Sequence, residues 1–322
     1  MKNLFVKDLK EGLSLFNEDF AVKSINAAKM KDGRTYYNVE LADSTGTISG
    51  KIWPDSITKC DIKSEGKVVS VDAGIEKYRD SLQIKINSMI ETTNFDAVNF
   101  MATSNFNPEN LWQELEKYRN AIKNKYLRQL LTNCFTEETR ASFINSAAGL
   151  TVHHEYKGGL VEHTVEMLRM SDSLKESYPK INKDLLISGI ILHDIGKIFE
   201  YETGLTVKIT TKGKLLGHIS MGAKYVYDHC PEDMPEDLKN EITHIILSHH
   251  GSLEFGSPIK PKTAEALAIS RFDVASANIN SAYNMIQNLS DGNLFSNYHK
   301  QLGVELYKSP YLEDIVNEDI PF

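Results

Sequence analysis

The apolar run Ile190-Ile191-Leu192 ends on His193-Asp194, an imidazole beside a carboxylate, and Ile195-Gly196-Lys197 follows. Helix neighbours point about 100° apart, so His193 can give a nitrogen and Asp194 an oxygen to one metal ion, or Asp194 can bridge two ions while His193 holds one. Gly196 is expected to let the backbone turn, and Lys197 then to reach an anionic oxygen near the metal. An isolated His-Asp pair is more often a buried histidine bonded to its neighbour. The rest of the chain argues otherwise, because nine of the ten histidines fall between His153 and His250.

Several helical segments must deliver these groups. His163 follows Gly158-Gly159 at the start of a helix, near its apolar stripe, and His193 closes a helix predicted over 183–195. Leu216-Gly217-His218-Ile219-Ser220 opens another, and a helix from Glu236 to Leu247 carries Ser248-His249-His250-Gly251 at its end. A last helix, from Thr263 to about Met285, brings Asp273 inward among small residues. Each histidine alone reads as structural. Together, His163, His193, Asp194, His218, His249 and Asp273 are the N/O donors of a borderline or hard divalent ion, with Mn, Fe, Zn, Ni, Co and Mg all compatible. His250 is a candidate substrate hydrogen-bond donor or general acid, or a helix cap. His153 and His154 are candidates for the mouth of the site, while His229, His244 and His299 have no partner pattern.

The order H…HD…H…H…D resembles the HD-domain metal-dependent phosphohydrolase superfamily. The resemblance implies His163, His193, Asp194 and Asp273 around a first metal, and His218 and His249 around a second bridged by Asp194. Two such ions suit phosphoester hydrolysis by a metal-activated hydroxide, with Asp194, Lys197 and His250 as the catalytic candidates. The Gly-Tyr-Pro element of cyclic-dinucleotide HD phosphodiesterases is missing after His250, where Gly251-Ser252-Leu253-Glu254-Phe255-Gly256 stands.

Composition bounds what surrounds this centre. The 322 residues, 41% hydrophobic and 25% charged, suit two soluble domains. No apolar run approaches a membrane span and the start Met1-Lys2-Asn3-Leu4 lacks a signal-peptide layout, so a cytoplasmic protein that engages no membrane is expected. Three isolated cysteines, Cys60, Cys134 and Cys230, support neither a disulfide framework nor a cysteine zinc site. The net charge of −8 belongs to the later part, since residues 1–94 hold fourteen basic and fourteen acidic side chains. A basic footprint for duplex nucleic acid is therefore missing, and any such binding must use a local groove or stacking surface.

The first ninety residues alternate with period two between turns at Lys31-Asp32-Gly33-Arg34 and Asp43-Ser44-Thr45-Gly46. Strands are predicted over 20–25, 35–41, 47–53, 67–73 and 81–90, and five strands in this length fit a barrel. The stretch from Leu41 to Trp53 resembles the second and third strands of OB-fold nucleic-acid-binding domains, which bind single strands by stacking bases on aromatic rings flanked by Lys/Arg. The candidates are Tyr36, Tyr37, Lys51, Trp53, Tyr78 and Arg79, with ordinary barrel packing the alternative for each ring. Tyr36 and Tyr37 point to opposite faces.

The expected architecture is thus a multidomain α and β chain: an OB-fold β-barrel over 1–95, a helical linker over 96–150, an all-α HD domain over 151–292 and a tail over 293–322. The combination resembles the YhaM family of bacterial 3′-to-5′ exoribonucleases. That resemblance implies manganese-favoured hydrolysis of single-stranded RNA, and of single-stranded DNA in many members, to nucleoside 5′-monophosphates, by an expected homo-oligomer. The alternatives are an HD-type nucleotide phosphohydrolase with a regulatory barrel, and a single-stranded-DNA-binding replication accessory protein. The acidic end from Glu313 to Phe322 closes on residues that resemble the tip of bacterial single-strand-binding proteins, and is either a docking peptide for a partner or a frayed terminus.

Overall fold

Alternation of apolar and polar residues builds the N-terminal unit of the computed structural model, which describes residues 2–78, 81–100, 106–149, 156–287, 289 and 292–310. Arg79, His153, His154 and the acidic end from Glu313 to Phe322 lie outside the described residues. Strands β1 (Ser14–Lys29), β2 (Thr35–Asp43), β3 (Gly46–Ile52), β4 (Val68–Tyr78) and β5 (Ser81–Glu91) close into a barrel in the order β1-β2-β3-β5-β4, an OB-type five-stranded fold. Leu15, Phe20, Leu41, Ile52, Ile84 and Met89 fill its interior. Strand β1 is much longer than its apolar stretch predicts because two neighbours share it. Its first half pairs with β4, its second with β2, and a bulge between Val22 and Ser24 bends it from one partner to the other. The polar residues along it carry no alternation to betray that length.

The second unit is helical: α1 (Pro108–Ala121), α2 (Lys125–Cys134), α3 (Glu137–Asn145), α4 (Gly159–Ser177), α5 (Lys183–Leu192) and the short α6 (Lys197–Glu200). A hairpin of β6 (Tyr201–Thr203) and β7 (Val207–Ile209) follows, then α7 (Thr211–His229), α8 (Glu236–Ser248) and α9 (Ala264–Gln287). Leu111, Leu115, Tyr118, Ile122, Tyr126 and Leu130 follow one helical period, yet the stretch forms two helices. Asn124 breaks it by capping α2, its side chain accepting from the backbone N–H groups of Tyr126 and Leu127, while Asp184 takes the N–H groups of Lys123 and Asn124. Thr136 caps α3, its hydroxyl accepting from the backbone N–H of Thr139. Helices α1 to α3 pack into the same apolar core as α4, α5, α7, α8 and α9. No helix among the described residues is long and apolar enough to cross a membrane.

Helix α5 is the axis of this body. Leu185 through Leu192 are buried without exception, and at Gly189 the side chains of Ile245 on α8 and Ile269 on α9 approach so closely that a methyl group would collide with them. A helix enclosed on all sides shows little amphipathic pattern, and its C-terminal end opens inside the protein. His193 and Asp194 leave the helix at that end.

Candidate metal centre

Four elements converge on the end of α5. Helix α4 is preceded by Gly158, whose φ of 86° is left-handed, and places His163 one turn in, wholly buried. Helix α8 ends with His249 and His250, and Gly251 at φ 79° turns the chain away. Helix α9 supplies Asp273. Helix α7 is broken at Gly217 (φ 68°, ψ 153°), so His218 stands at the start of a second helical segment inside the body.

The geometry divides these residues into two groups around one carboxylate. Asp194 Oδ2 lies 3.3 Å from His193 Nε2 and 3.8 Å from His163 Nε2, and Asp273 Oδ1 is 3.3 Å from the same His163 nitrogen. Asp194 Oδ1 faces the other way, 3.5 Å from His218 Nε2 and 3.4 Å from His249 Nε2. His250 joins the second group, its Nε2 lying 3.3 Å from that of His218. Its ring nitrogen therefore sits among the candidate ligands.

The outward nitrogens explain why these contacts call for cations. His193 Nδ1 donates to the Ile190 carbonyl, His249 Nδ1 to Ile246 and His250 Nδ1 to Phe255, each at 2.7 Å. Glu200 Oε2 accepts from His218 Nδ1 at 2.9 Å. The Ser276 hydroxyl donates to Glu166 Oε2 at 2.6 Å, so its oxygen is left to accept from His163 Nδ1 at 2.9 Å. With every Nδ1 carrying the proton in this network, every Nε2 turns a lone pair inward. Lone pairs then face one another across 3.2 Å between His163 and His193 and across 3.3 Å between His218 and His250, and those of His193, His218 and His249 also face Asp194. Asp194 Oδ1 and His249 Nε2 are buried with no hydrogen-bond partner. Such atoms need positive charge between them, and outer hydrogen bonds that fix the histidine tautomer are the usual frame of a metal site. The residues fit one divalent cation at His163, His193, Asp194 and Asp273, and a second at Asp194, His218, His249 and His250.

Charge states agree. Burial holds His163, His249 and His250 below the ordinary histidine range, so they are neutral and able to ligate. Burial pushes the same way on His193, but Asp194 and Asp273 outweigh it and raise its pKa, a sign that this spot favours a positive charge. Against burial, Lys197 and His193 hold Asp194 well below the usual carboxylate range, and His163 does so for Asp273. Both carboxylates are therefore ionised.

Two expectations are refined here. Lys197 does reach an anionic oxygen, but that oxygen belongs to Asp194, 2.5 Å away, and the side chain is only 8% exposed. Gly196 has φ −62° and ψ −19°, ordinary helical values open to any residue, so it is not there to turn the chain. A Cβ at Gly196 would lie 2.0 Å from the carbonyl oxygen of His218 and 2.8 Å from the N–H of Gly222. Closeness of α7 demands the glycine. Glu166, Glu200 and Ser276 were not singled out by sequence, although Glu166 stands one helical turn from His163 and so shares its face.

On the barrel, the rings of Tyr36 and Trp53 stack with centroids 5.4 Å apart and planes 25° from parallel. Lys51 Nζ lies 5.5 Å from Tyr36, 5.4 Å from Trp53 and 5.5 Å from the exposed Tyr78, drawing three rings around one cation. Tyr37 turns to the other face and packs against the barrel core.

Known proteins resemble this chain over its helical part and over most of its length. Residues 160–278 match the HD domain family. The chain is 31% identical over 297 residues to the 3′-5′ exoribonuclease YhaM of Listeria welshimeri, covering 90% of this chain and 93% of that one. It is 32% identical over 275 residues to the protein of the same name from Shouchella clausii, covering 84% and 86%. Among solved structures, the second OB-fold domain of replication protein A from Methanococcus maripaludis matches over 30% of this chain and 99% of its own, with 19% identity and a TM-score of 0.24.

Proposed function

This chain belongs to the YhaM family of 3′-5′ exoribonucleases, and from that premise we propose that it removes nucleoside 5′-monophosphates one at a time from the 3′ end of single-stranded RNA, and of single-stranded DNA, in the cytoplasm. One observation carries the mechanism: the two oxygens of Asp194 face two separate histidine groups whose Nδ1 protons are all committed elsewhere. Two divalent cations, manganese by the family resemblance and any of Mn, Fe, Zn, Ni, Co or Mg by the donor set, would supply the charge that activates water and offsets the negative charge developing on the phosphate. His163, His193 and Asp273 hold one side of Asp194, and His218, His249 and His250 the other. Lys197 fixes the bridging carboxylate by its buried ammonium and leaves phosphate binding to other groups.

The barrel holds the strand upstream of the cut. The paired rings of Tyr36 and Trp53 give a base a flat apolar face, and Lys51 beside them meets a backbone phosphate. Loss of one stacking ring costs about 1–3 kcal/mol per base, so Trp53→Ala weakens binding of a single-stranded oligonucleotide by about 5- to 150-fold while leaving cleavage of a dinucleotide unchanged. Fluorescence anisotropy with a labelled oligonucleotide, set beside dinucleotide turnover, reads both.

The deciding experiment uses single-stranded RNA labelled at its 5′ end and incubated with metal-stripped protein, with and without added manganese. Stepwise shortening from the 3′ end, dependent on manganese and releasing 5′-monophosphates, is expected. Hydrolysis of free nucleotides with no shortening of RNA would replace this function by that of a nucleotide phosphohydrolase.

A further inference from the structure

Glu200 belongs to neither group of candidate ligands, yet it touches His218 twice. One carboxylate oxygen accepts from the His218 ring at Nδ1, 2.9 Å away, and the other accepts from its backbone N–H at 3.1 Å. The second bond occupies the first free N–H group of the helical segment that restarts after Gly217, so a single side chain fixes both the ring and the backbone of this residue. His218 holds Glu200 below the usual carboxylate range although burial pushes the other way.

The position of Glu200 is set by the hairpin it precedes. Thr210, at the far end of that hairpin, donates from its backbone N–H to the Glu200 carbonyl at 2.9 Å and from its hydroxyl to the Phe199 carbonyl at 3.0 Å, closing the hairpin at its base. The free end reaches the barrel. Leu205 packs against the cluster of Ala21, Val68 and Phe100, and Lys208 Nζ donates to the Glu65 carbonyl at 3.2 Å. One continuous element therefore runs from the barrel wall to the carboxylate behind His218.

We propose that Glu200 is a positioning residue for His218, and that the β6–β7 hairpin makes affinity for the second cation depend on docking of the barrel. The proposal rests on the two-ion function above. A carboxylate that orients a metal-bound imidazole raises metal affinity by about 10- to 100-fold, whereas one that merely fills space affects both ions alike or neither.

The test titrates manganese into metal-free, full-length protein and follows the free ion by electron paramagnetic resonance. Wild-type protein is expected to bind two ions, and His163→Ala identifies which affinity belongs to the first. Glu200→Gln weakens the other ion about 10- to 100-fold with the first unchanged, and Glu200→Asp restores part of that loss. Leu205→Ala, which touches no candidate ligand, weakens the same ion several-fold, and the volume-conserving Leu205→Met does not. The proposal is overturned if Glu200→Gln keeps wild-type affinity for both ions or weakens the two equally, or if Leu205→Ala leaves the second ion unaffected. Wild-type protein that takes up fewer than two ions would overturn the two-ion function itself, and this result appears before any variant is compared.

Discussion

Asp194→Asn should lower turnover of single-stranded RNA by about 10⁴-fold, equivalent to roughly 5 kcal/mol of transition-state stabilisation. The substitution preserves size and shape but replaces an anion shared by two sets of lone pairs with a neutral group that has one acceptor and two N–H donors. The new donors can satisfy a histidine Nε2 directly, in the space a cation would use. They do so most readily toward His249, whose Nε2 has no hydrogen-bond partner in the wild-type arrangement. Both ions are affected because each carboxylate oxygen serves a different histidine group. Lys197 suffers as well: its buried ammonium loses the carboxylate 2.5 Å away, and an uncompensated buried charge of this kind costs about 3–5 kcal/mol. Elemental analysis of the purified variant should find well under two ions per chain, alongside the kinetic loss. Full metal content with turnover within tenfold of wild type would remove Asp194 from the bridging role.

The gathering of these candidate ligands was legible from sequence for a physical reason. A metal site needs particular atoms, and imidazole and carboxylate side chains are scarce enough on buried helix faces that five such positions in register are hard to arrange otherwise. His163, His193, His218, His249 and Asp273 do gather about the Asp194 carboxylate. What stayed hidden depends on tertiary approach. Glu200 looks in sequence like one more acidic residue between Phe199 and Tyr201, because its significance comes from the kink at Gly217 that brings His218 to it across 18 positions. Ser276 and Glu166 are likewise 110 positions apart and meet only because α4 and α9 pack together. On the barrel the turns were visible, but the length of β1 was not, since a strand bent between two partners presents its faces inconsistently to the core. Stacking of Tyr36 on Trp53 follows from register: Tyr37 pairs with Ile52 in antiparallel strands, so the residue before the one and the residue after the other lie opposite each other on the outer face.

Gly196→Ala tests the most demanding contact in the helical body, and its expected effect is out of proportion to one methyl group. A flexible side chain in the way could rotate aside, and the substitution would then cost little or even stabilise the helical turn. Here the obstructing atoms are the carbonyl oxygen of His218 and the N–H nitrogen of Gly222, both backbone, at 2.0 and 2.8 Å from the added carbon. Relief requires α7 to retreat from the turn after Asp194, and overpacking that moves backbone costs about 1–3 kcal/mol or more. The retreat carries His218 with it, drawing Nε2 away from Asp194 Oδ1 and straining both bonds to Glu200. Two losses should therefore appear together: a fall in Tm of several degrees or more, and weaker binding of the second ion with the first retained. The corresponding change at Gly222, where an added carbon would meet the Gly196 nitrogen at 3.2 Å, should be milder in both measurements. Should Gly196→Ala unfold at the wild-type temperature and bind two ions normally, α7 does not approach Asp194 as closely as this packing requires, and the placement of His218 in the second group would have to be abandoned.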